Sequence, residues 1–391
     1  FDGEVHLPIF VLILVSAVAL IAGLSVFFLR YLTEGRRLRA ARAAVVLFDV
    51  LGVGAMLFLF ASHRTEGWAG MIALPIFLGY VAQIIALLLT MLAVLVRAAG
   101  HRLRGVPYSP ARRRVLKCAA LYPAAGALLG SYGAFIERTA TVRRDYRIPI
   151  RNLPPEADGL VIAQISDVHL GAFFSVEELD ALLTETAAGG ADLLAVTGDL
   201  FDAEHLNEAA AAVLEAHVGD FPRGIWYCIG NHEYYRRNAL PIVTQMARRG
   251  HVHVLLNAAE RVPGCGALYL AGTDYPFARG DAFYTEKAAF FAAAMEDVPA
   301  HAVTVLLAHH PEFIDDAAAD GRVPLTLTGH THGSQFGILG QPLFPVFKYT
   351  RGMVRIGENY GYVHTGNGSW FPLRIGCPPE TVYFRLERSD V

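Results

Sequence analysis

Read for its hydrophobic and polar positions alone, the chain falls into two unlike parts. Before residue 140 the apolar residues come in four long runs, at 8–28, 43–61, 71–96 and 115–136. Each approaches the roughly 20 residues that an α-helix needs to cross the hydrocarbon of a bilayer. They are too many and too long for a cleaved signal peptide. The pattern therefore predicts a transmembrane domain of four helices over residues 1–140. From about Tyr146 the pattern changes to short apolar runs that end in polar clusters. Residues 160–165 lead into Ser166-Asp167-Val168-His169, and 193–197 into Gly198-Asp199. Residues 225–229 lead into Gly230-Asn231-His232-Glu233, and 303–308 into His309-His310-Pro311. Residues 325–328 lead into Gly329-His330-Thr331-His332-Gly333. Helical periodicity over 176–187 and 206–217 separates the first three of these runs. Strands alternating with helices predict an α/β layered domain over residues 141–391.

Composition agrees with this division. The chain is 54% hydrophobic and 18% charged, against about 25% charged residues in an ordinary soluble domain. A net charge of −3 argues against a general nucleic-acid binder, which is usually basic. The basic residues are unevenly placed. Arg30, Arg36, Arg37, Arg39 and Arg42 lie between the first two apolar runs, and Arg97, Arg102, Arg104, Arg112, Arg113, Arg114 and Lys117 lie around the loop before the fourth. The loop between the second and third holds Arg64 alone. Basic loops stay cytoplasmic, so the expected arrangement is a multi-pass protein of the cell (inner) membrane with its soluble domain extracytoplasmic. The stretch Arg112-Arg113-Arg114-Val115-Leu116-Lys117 is equally readable as a basic helix end and as a twin-arginine export signal, and both place that domain on the same side. Asp49 lies within the second apolar run, where an ionisable group is a functional candidate; a structural contact with Gln83 or Tyr80 is the favoured reading. The four cysteines show no metal-finger spacing. Cys118 and Cys228 read as core residues, and a Cys265–Cys377 disulfide stays open.

The chemistry concentrates at the strand ends. In α/β sheets, ligands collect where loops leave the carboxyl ends of strands. Any one of these histidines alone is more often structural than a ligand. Five successive strand ends carrying Asp, His and Asn, with no thiolate, read together as nitrogen and oxygen ligands for a first-row metal. Two metals about 3.5–4 Å apart clamp both the attacking and the leaving oxygen of a phosphoryl displacement. One carboxylate must then bridge them, and Asp199, with Gly198 leaving room beside it, is the natural bridge.

The series D-x-H, G-D, G-N-H-E, H-x-P and G-H-T-H-G over residues 146–391 resembles the calcineurin-like metallophosphoesterase superfamily. The resemblance implies a double β-sandwich flanked by helices and a dinuclear centre of Mn, Fe or Zn. It places Asp167, His169, Asp199 and His332 on one ion, and Asn231, His309 and His330 with bridging Asp199 on the other. His232 would protonate the leaving oxygen or stabilise the transition state, and a metal-bridging hydroxide would be the nucleophile. His310, next to His309, leaves the choice between the two open. Ser334 departs from the second glycine of many relatives without touching a ligand. The segment 372–380 resembles the membrane-bound and exported bacterial branch of the family.

The metal motifs do not select a substrate. Phe173, Phe174, Tyr234 and Tyr235 follow two of them, and the segment after His332 is apolar for a loop, with Phe336, Ile338, Leu339, Leu343, Phe344, Val346, Phe347 and Tyr349. Arg236, Arg237, Lys348 and Arg351 lie near enough in sequence to meet a phosphate. Packing of these aromatics under loops is the plainer reading. The sharper one makes Phe174, Tyr234, Arg236, Phe344 and Phe347 contacts for a phosphoester substrate, a phosphodiester or pyrophosphate of a lipid or another envelope molecule. A catalytically silent metal-binding sensor or scaffold on a membrane anchor is the alternative.

Overall fold

The structure, a computed structural model, describes residues 3–61, 68–104, 121–171, 173–369 and 371–389. Arg64, the 112–117 stretch and Cys118 lie outside the described residues. The chain separates into two compact units, Phe1–Gly133 and Ala134–Val391.

The N-terminal unit is helical: α1 Gly3–Phe28, α2 Gly35–Ala61, α3 Trp68–Arg104 and α4 Leu121–Phe135. Two stretches, Gly35–Phe58 and Pro75–Leu95, are long and apolar enough to cross a membrane. The apolar stretch Val15–Tyr31 is shorter, and α4 has 15 residues. The expected four spans therefore come down to two qualifying helices among the described residues. The arrangement inverts that of a soluble core. Leu47, Val50, Leu51, Leu88, Leu92 and Leu95 are exposed, whereas Ser25, Asp49 and Thr90 are buried. Gln83 Nε2 donates to Asp49 Oδ2 at 3.1 Å and lies 3.2 Å from Ser25 Oγ, and Tyr80 Oη donates to the Asp49 carbonyl. These are the contacts a polar group requires inside an apolar helix bundle.

The C-terminal unit stacks two six-stranded sheets. One has the order β1-β14-β2-β3-β4-β5, formed by Val142–Arg151, Glu380–Ser389, Val161–Ile165, Leu193–Thr197, Ile225–Cys228 and Val252–Val254. The other has the order β12-β13-β9-β8-β7-β6, formed by Gly352–Ile356, Asn359–Val363, Leu325–Thr328, Val303–Leu307, Leu268–Gly272 and Ala258–Arg261. Strands β2 to β5 are mutually parallel, as are β7 to β9. Such strands are covered on both faces, so they read as unbroken apolar runs. The period of two still sorts their side chains. Ile162, Leu193, Ala195, Trp226 and Cys228 join Leu270, Val305, Leu325 and Tyr362 of the second sheet in the core between sheets. Ala163, Ile165, Leu194, Val196 and Tyr227 face the helices instead.

Three helices cover that outer face: α5 Val176–Ala188, α6 Asn207–Ala216 and α8 Ala239–Arg249. In α8 the buried residues Ala239, Ile242, Val243 and Met246 keep the helical spacing of one apolar face. Helix α5 starts where Ser175 and Glu178 form a reciprocal capping box. Two further helices, α9 Asp281–Ala294 and α10 Phe313–Ala319, cover the second sheet. Cys228, Cys265 and Cys377 are free and buried, so Cys265 and Cys377 form no disulfide. The outcome that matters for chemistry is directional: β2, β3, β4, β8 and β9 send their carboxyl-terminal loops to one common end.

Candidate metal centre

Several residues at that end sit in unusual backbone conformations. Asp167, His169, Asp199, His330 and His332 have φ between 48° and 73°, a region that non-glycine residues occupy sparsely and that clusters at functional sites. The left-handed residues after β2, β3 and β9 turn the chain sharply at those strand ends. Glycines make room for the approach. A Cβ on Gly230 would collide with Asp199 Oδ1, and one on Gly329 with Asp167 Oδ2 and Ser166 Oγ.

One buried carboxylate fixes two of these loops. Glu233, on the short helix α7 His232–Tyr235, accepts from the amides of Asp199 (3.0 Å), Leu200 (2.8 Å), Phe201 (3.2 Å) and Gly230 (2.9 Å). Tyr227 Oη adds a fifth donor at 2.7 Å. The fourth residue of Gly230-Asn231-His232-Glu233 thus positions both its own loop and the Asp199 loop. The first loop is held from the C-terminal side, where Asn367 Oδ1 accepts from Ser166 N and Gly368 N donates to the Asp167 carbonyl.

The seven residues expected as metal ligands converge. Donor atoms of Asp167, His169 and His332 lie within 4.8 Å of one another, as do those of Asp199, His309 and His330. A third such group is His169, Asp199 and His232. His169 Nε2 and His332 Nε2 are 2.9 Å apart, and His309 Nε2 is 3.1 Å from Asp199 Oδ2. His309 Nδ1 donates to the Thr197 carbonyl at 2.7 Å, which turns Nε2 toward Asp199. Asn231 Oδ1 and His309 Nε2 are buried without a hydrogen-bond partner. Buried polar atoms are almost always paired, so these orphans, the facing imidazoles and the carboxylates fit a cation-binding centre. The local potential points the same way. Burial alone would lower the pKa of His309, but Asp199 and Asp167 outweigh it and lift it to about 10.

His310 has different surroundings. Its ring lies against Phe283, at 4.9 Å between centroids, and against Phe347 at 5.8 Å, and Nδ1 accepts from the Glu312 amide. Burial, reinforced by the charges of His309 and Lys287, pushes its pKa down to about 3. It belongs to none of the three donor groups found among the described residues.

A groove of about 650 Å³ opens beside the cluster. His169, Asp199, Asn231, His232, His330 and His332 line it together with Phe336, Phe344, Val346, Phe347 and Phe371, and the Phe347 ring lies 5.0 Å from that of His330. Phe344 and Phe347, two of the residues named as substrate contacts, line this groove. The other three are not part of its wall. Phe174 packs on the helix-side core, because its loop turns toward α5. Tyr234 Oη donates to Asp274, and the adjacent Tyr235 lines the groove in its place. Arg236 Nε donates to Asp202 at 2.8 Å.

Two residues near the site escape the motifs. Asp202 Oδ1 lies 3.0 Å from His232 Nδ1, and its Oδ2 lies 3.5 Å from His169 Nδ1. Its only sequence signal is a second carboxylate three residues beyond Asp199. Tyr275 Oη lies 3.2 Å from His330 Nε2. It follows β7, whose run 268–272 ends in Thr273-Asp274-Tyr275 much as the other strands end in polar residues.

Residues 160–334 match the family profile of the calcineurin-like phosphoesterases, and this part of the chain is a calcineurin-like metallophosphoesterase domain. An uncharacterised metallophosphoesterase of Bacillus subtilis is 29% identical over 301 residues, covering 71% of this chain and 98% of that protein. A transmembrane protein with metallophosphoesterase domain from Bos taurus is 27% identical over 257 residues, covering 62% of this chain. The matched part spans 56% of the bovine protein's length. A dimetal phosphatase from Danio rerio is 10% identical with a TM-score of 0.35, covering 55% of this chain and 90% of that one.

Two outcomes follow from the way the loops are held. Glu233→Ala leaves four buried amides without an acceptor and lowers stability by at least about 3 kcal/mol, since bonds to a charged group and unsatisfied buried donors are each worth about 1–3 kcal/mol; calorimetric unfolding measures it. Gly230→Ala displaces the Asp199 carboxylate while keeping the fold, so metal bound per chain falls with the circular dichroism spectrum unchanged.

Proposed function

We propose that the chain is a membrane-anchored, dinuclear-metal-dependent phosphoesterase whose substrate carries an apolar group, such as a lipid or lipid-linked phosphodiester or pyrophosphate. The supporting observation is the convergence of the Asp167, His169, Asp199, His309, His330 and His332 donors, with the unpartnered Oδ1 of Asn231, beside a groove that phenylalanines also line. Asp167, His169, Asp199 and His332 hold one ion, and Asn231, His309, His330 and shared Asp199 hold the second. Between His309 and His310, the Nε2 of His309 beside Asp199 supports His309 as the ligand. When bound, the ions neutralise phosphoryl charge and acidify water. The two apolar helices, together with the name of the bovine relative, support the anchor. If all four apolar runs cross, as the sequence predicts, the basic residues between the first two support a cytoplasmic loop there and an extracytoplasmic domain.

The protein's own contribution to the reaction centres on His232. Its backbone amide donates to Asp199 Oδ1 at 2.8 Å, and Nδ1 donates to Asp202, leaving Nε2 for the groove. Burial opposes the imidazolium, but the bond to Asp202 and the charges of Asp199, Asp202 and Glu233 outweigh it and hold the pKa above the ordinary histidine value. A proton kept on Nε2 in this way is available to the leaving oxygen. Asp202 and Arg236 act through His232, as positioning groups. Phe336, Phe344 and Phe347 receive the apolar part of the substrate and keep water from that side.

A panel of a chromogenic phosphodiester, a phosphomonoester, phospholipids and lipid pyrophosphates, each with added Mn, Fe or Zn, tests this reading. His232→Ala is expected to lose about 10²–10⁴-fold in turnover, the usual worth of a positioned acid, with its metal retained. Full activity in His232→Ala would remove the assigned role, and no hydrolysis of any ester by the metal-loaded wild type would favour the silent scaffold. Replacing Phe344 and Phe347 by polar residues is expected to depress hydrolysis of detergent-dispersed lipids far more than that of the chromogenic diester; an unchanged lipid rate contradicts the apolar-substrate reading.

A further inference from the structure

The segment beyond the last predicted ligand has a shape that the metal chemistry does not require. Strands β10 Gly337–Ile338 and β11 Gln341–Pro342 form a minimal hairpin that projects from the rim of the groove. Leu339 and Gly340 are its two turn residues, with φ of 51° and 81°. A two-residue turn of this kind calls for Asn-Gly or Asp-Gly. Here a leucine takes the strained left-handed position while 97% of its surface is exposed. Neither the turn nor the core accounts for that choice. Ile338, Leu343, Phe344 and Val346 are exposed with it, and no charged residue occurs from Ser334 to Phe347. The hairpin is held from below: Arg351 donates to the carbonyls of Gly340 and Gly376, and Gly337 N to that of Ile375 at 2.7 Å.

We propose that residues 337–347 form an apolar finger that inserts into the headgroup–hydrocarbon boundary of a bilayer, with Leu339 at its tip. The inference rests on the membrane-anchored reading above and adds a second, peripheral contact to it. A bilayer is the favoured occupant for three reasons. Helices able to cross a membrane belong to the same chain, so covalent linkage holds a bilayer at high effective concentration around the domain. The exposed side chains Ile338, Leu339, Leu343, Phe344 and Val346 are apolar with no charge among them, and apolar side chains that bury a few ångströms into the interface are what membrane-surface contacts use. Its apolar surface also continues through Phe344 and Val346 into the groove wall beside His330 and His332. An acyl or prenyl chain can therefore pass from bilayer to metal centre without crossing water.

The test uses the full chain in lipid nanodiscs with spin labels at Leu339→Cys and, as a control on another exposed surface, at Tyr284→Cys, in a background lacking Cys118. The label at 339 is expected to collide more readily with oxygen than with a water-soluble nickel chelate, as labels in hydrocarbon do, and the label at 284 to show the reverse. A water-like profile at 339 overturns the proposal, and so does shielding from both reagents, which would indicate a protein covering the finger. Pairing Ile338→Asp with Leu339→Asp is expected to reduce turnover of a bilayer-embedded phosphoester at least about tenfold, because each apolar side chain buried is worth about that factor or more. Its rate on a water-soluble phosphodiester is expected to stay unchanged; equal losses on both substrates count against an interfacial role. If wild type hydrolyses neither substrate, the phosphoesterase reading fails while the depth of the label still decides the finger.

Discussion

The site depends on a carboxylate that belongs to no ligand set. Glu233 is fully buried, and its two oxygens gather the amides that follow β3 and precede α7. Ionised oxygens bind several N–H groups more strongly than a carbonyl can, so one side chain ties the loop after β3 to the loop after β4. The strained conformations of Asp167, Asp199 and the histidines persist only where the surroundings over-determine them. Glu233 provides that constraint on the first sheet, and Asn367 and Gly368 provide it from the C-terminal segment.

Around this clamp the fold brings groups of opposite demand together. The parallel strands supply rigid, apolar walls on both faces, and their ends crowd carboxylates, imidazoles and an amide together, with Asn231 Oδ1 left unpartnered. Burial makes unpaired polar atoms expensive, and a cation would resolve the deficit at Asn231 and His309 in one step. The groove then sets a second contrast, with polar donors and phenylalanines lining one cleft. Such a cleft suits an amphiphile, whose phosphate and apolar parts need different surroundings. The outward leucines of α2 and α3, with Asp49 and Gln83 turned inward, describe the same preference in the helical unit.

Much of this was legible in the sequence because it is local. The runs 193–197 and 325–328 coincide with β3 and β9, and the polar clusters behind five strands name the residues that meet. What the sequence left out is held together across long separations. Asp202 reaches His232 across 30 residues, and Asn367 reaches Ser166 across 201; no periodicity marks either pairing. Strand β1 pairs with β14 at the far end of the chain for the same reason. Phe174 and Tyr234 misled because proximity to a motif in sequence does not fix direction: one loop turns its ring to the core, and α7 presents Tyr235 in place of Tyr234. In the helical unit apolar composition marks four runs, of which two described stretches, Gly35–Phe58 and Pro75–Leu95, are long and apolar enough to cross a membrane.

The central claim is a two-ion centre bridged by Asp199, and metal content tests it most directly. Purified full-length chain, loaded with Mn or Zn and freed of excess, should bind close to two ions per chain, the number that in-line phosphoryl displacement uses. Asp199→Asn should fall to about one or fewer, with its fold intact by circular dichroism. A wild type that binds no more than one ion, or an Asp199→Asn variant that keeps both, would contradict the account.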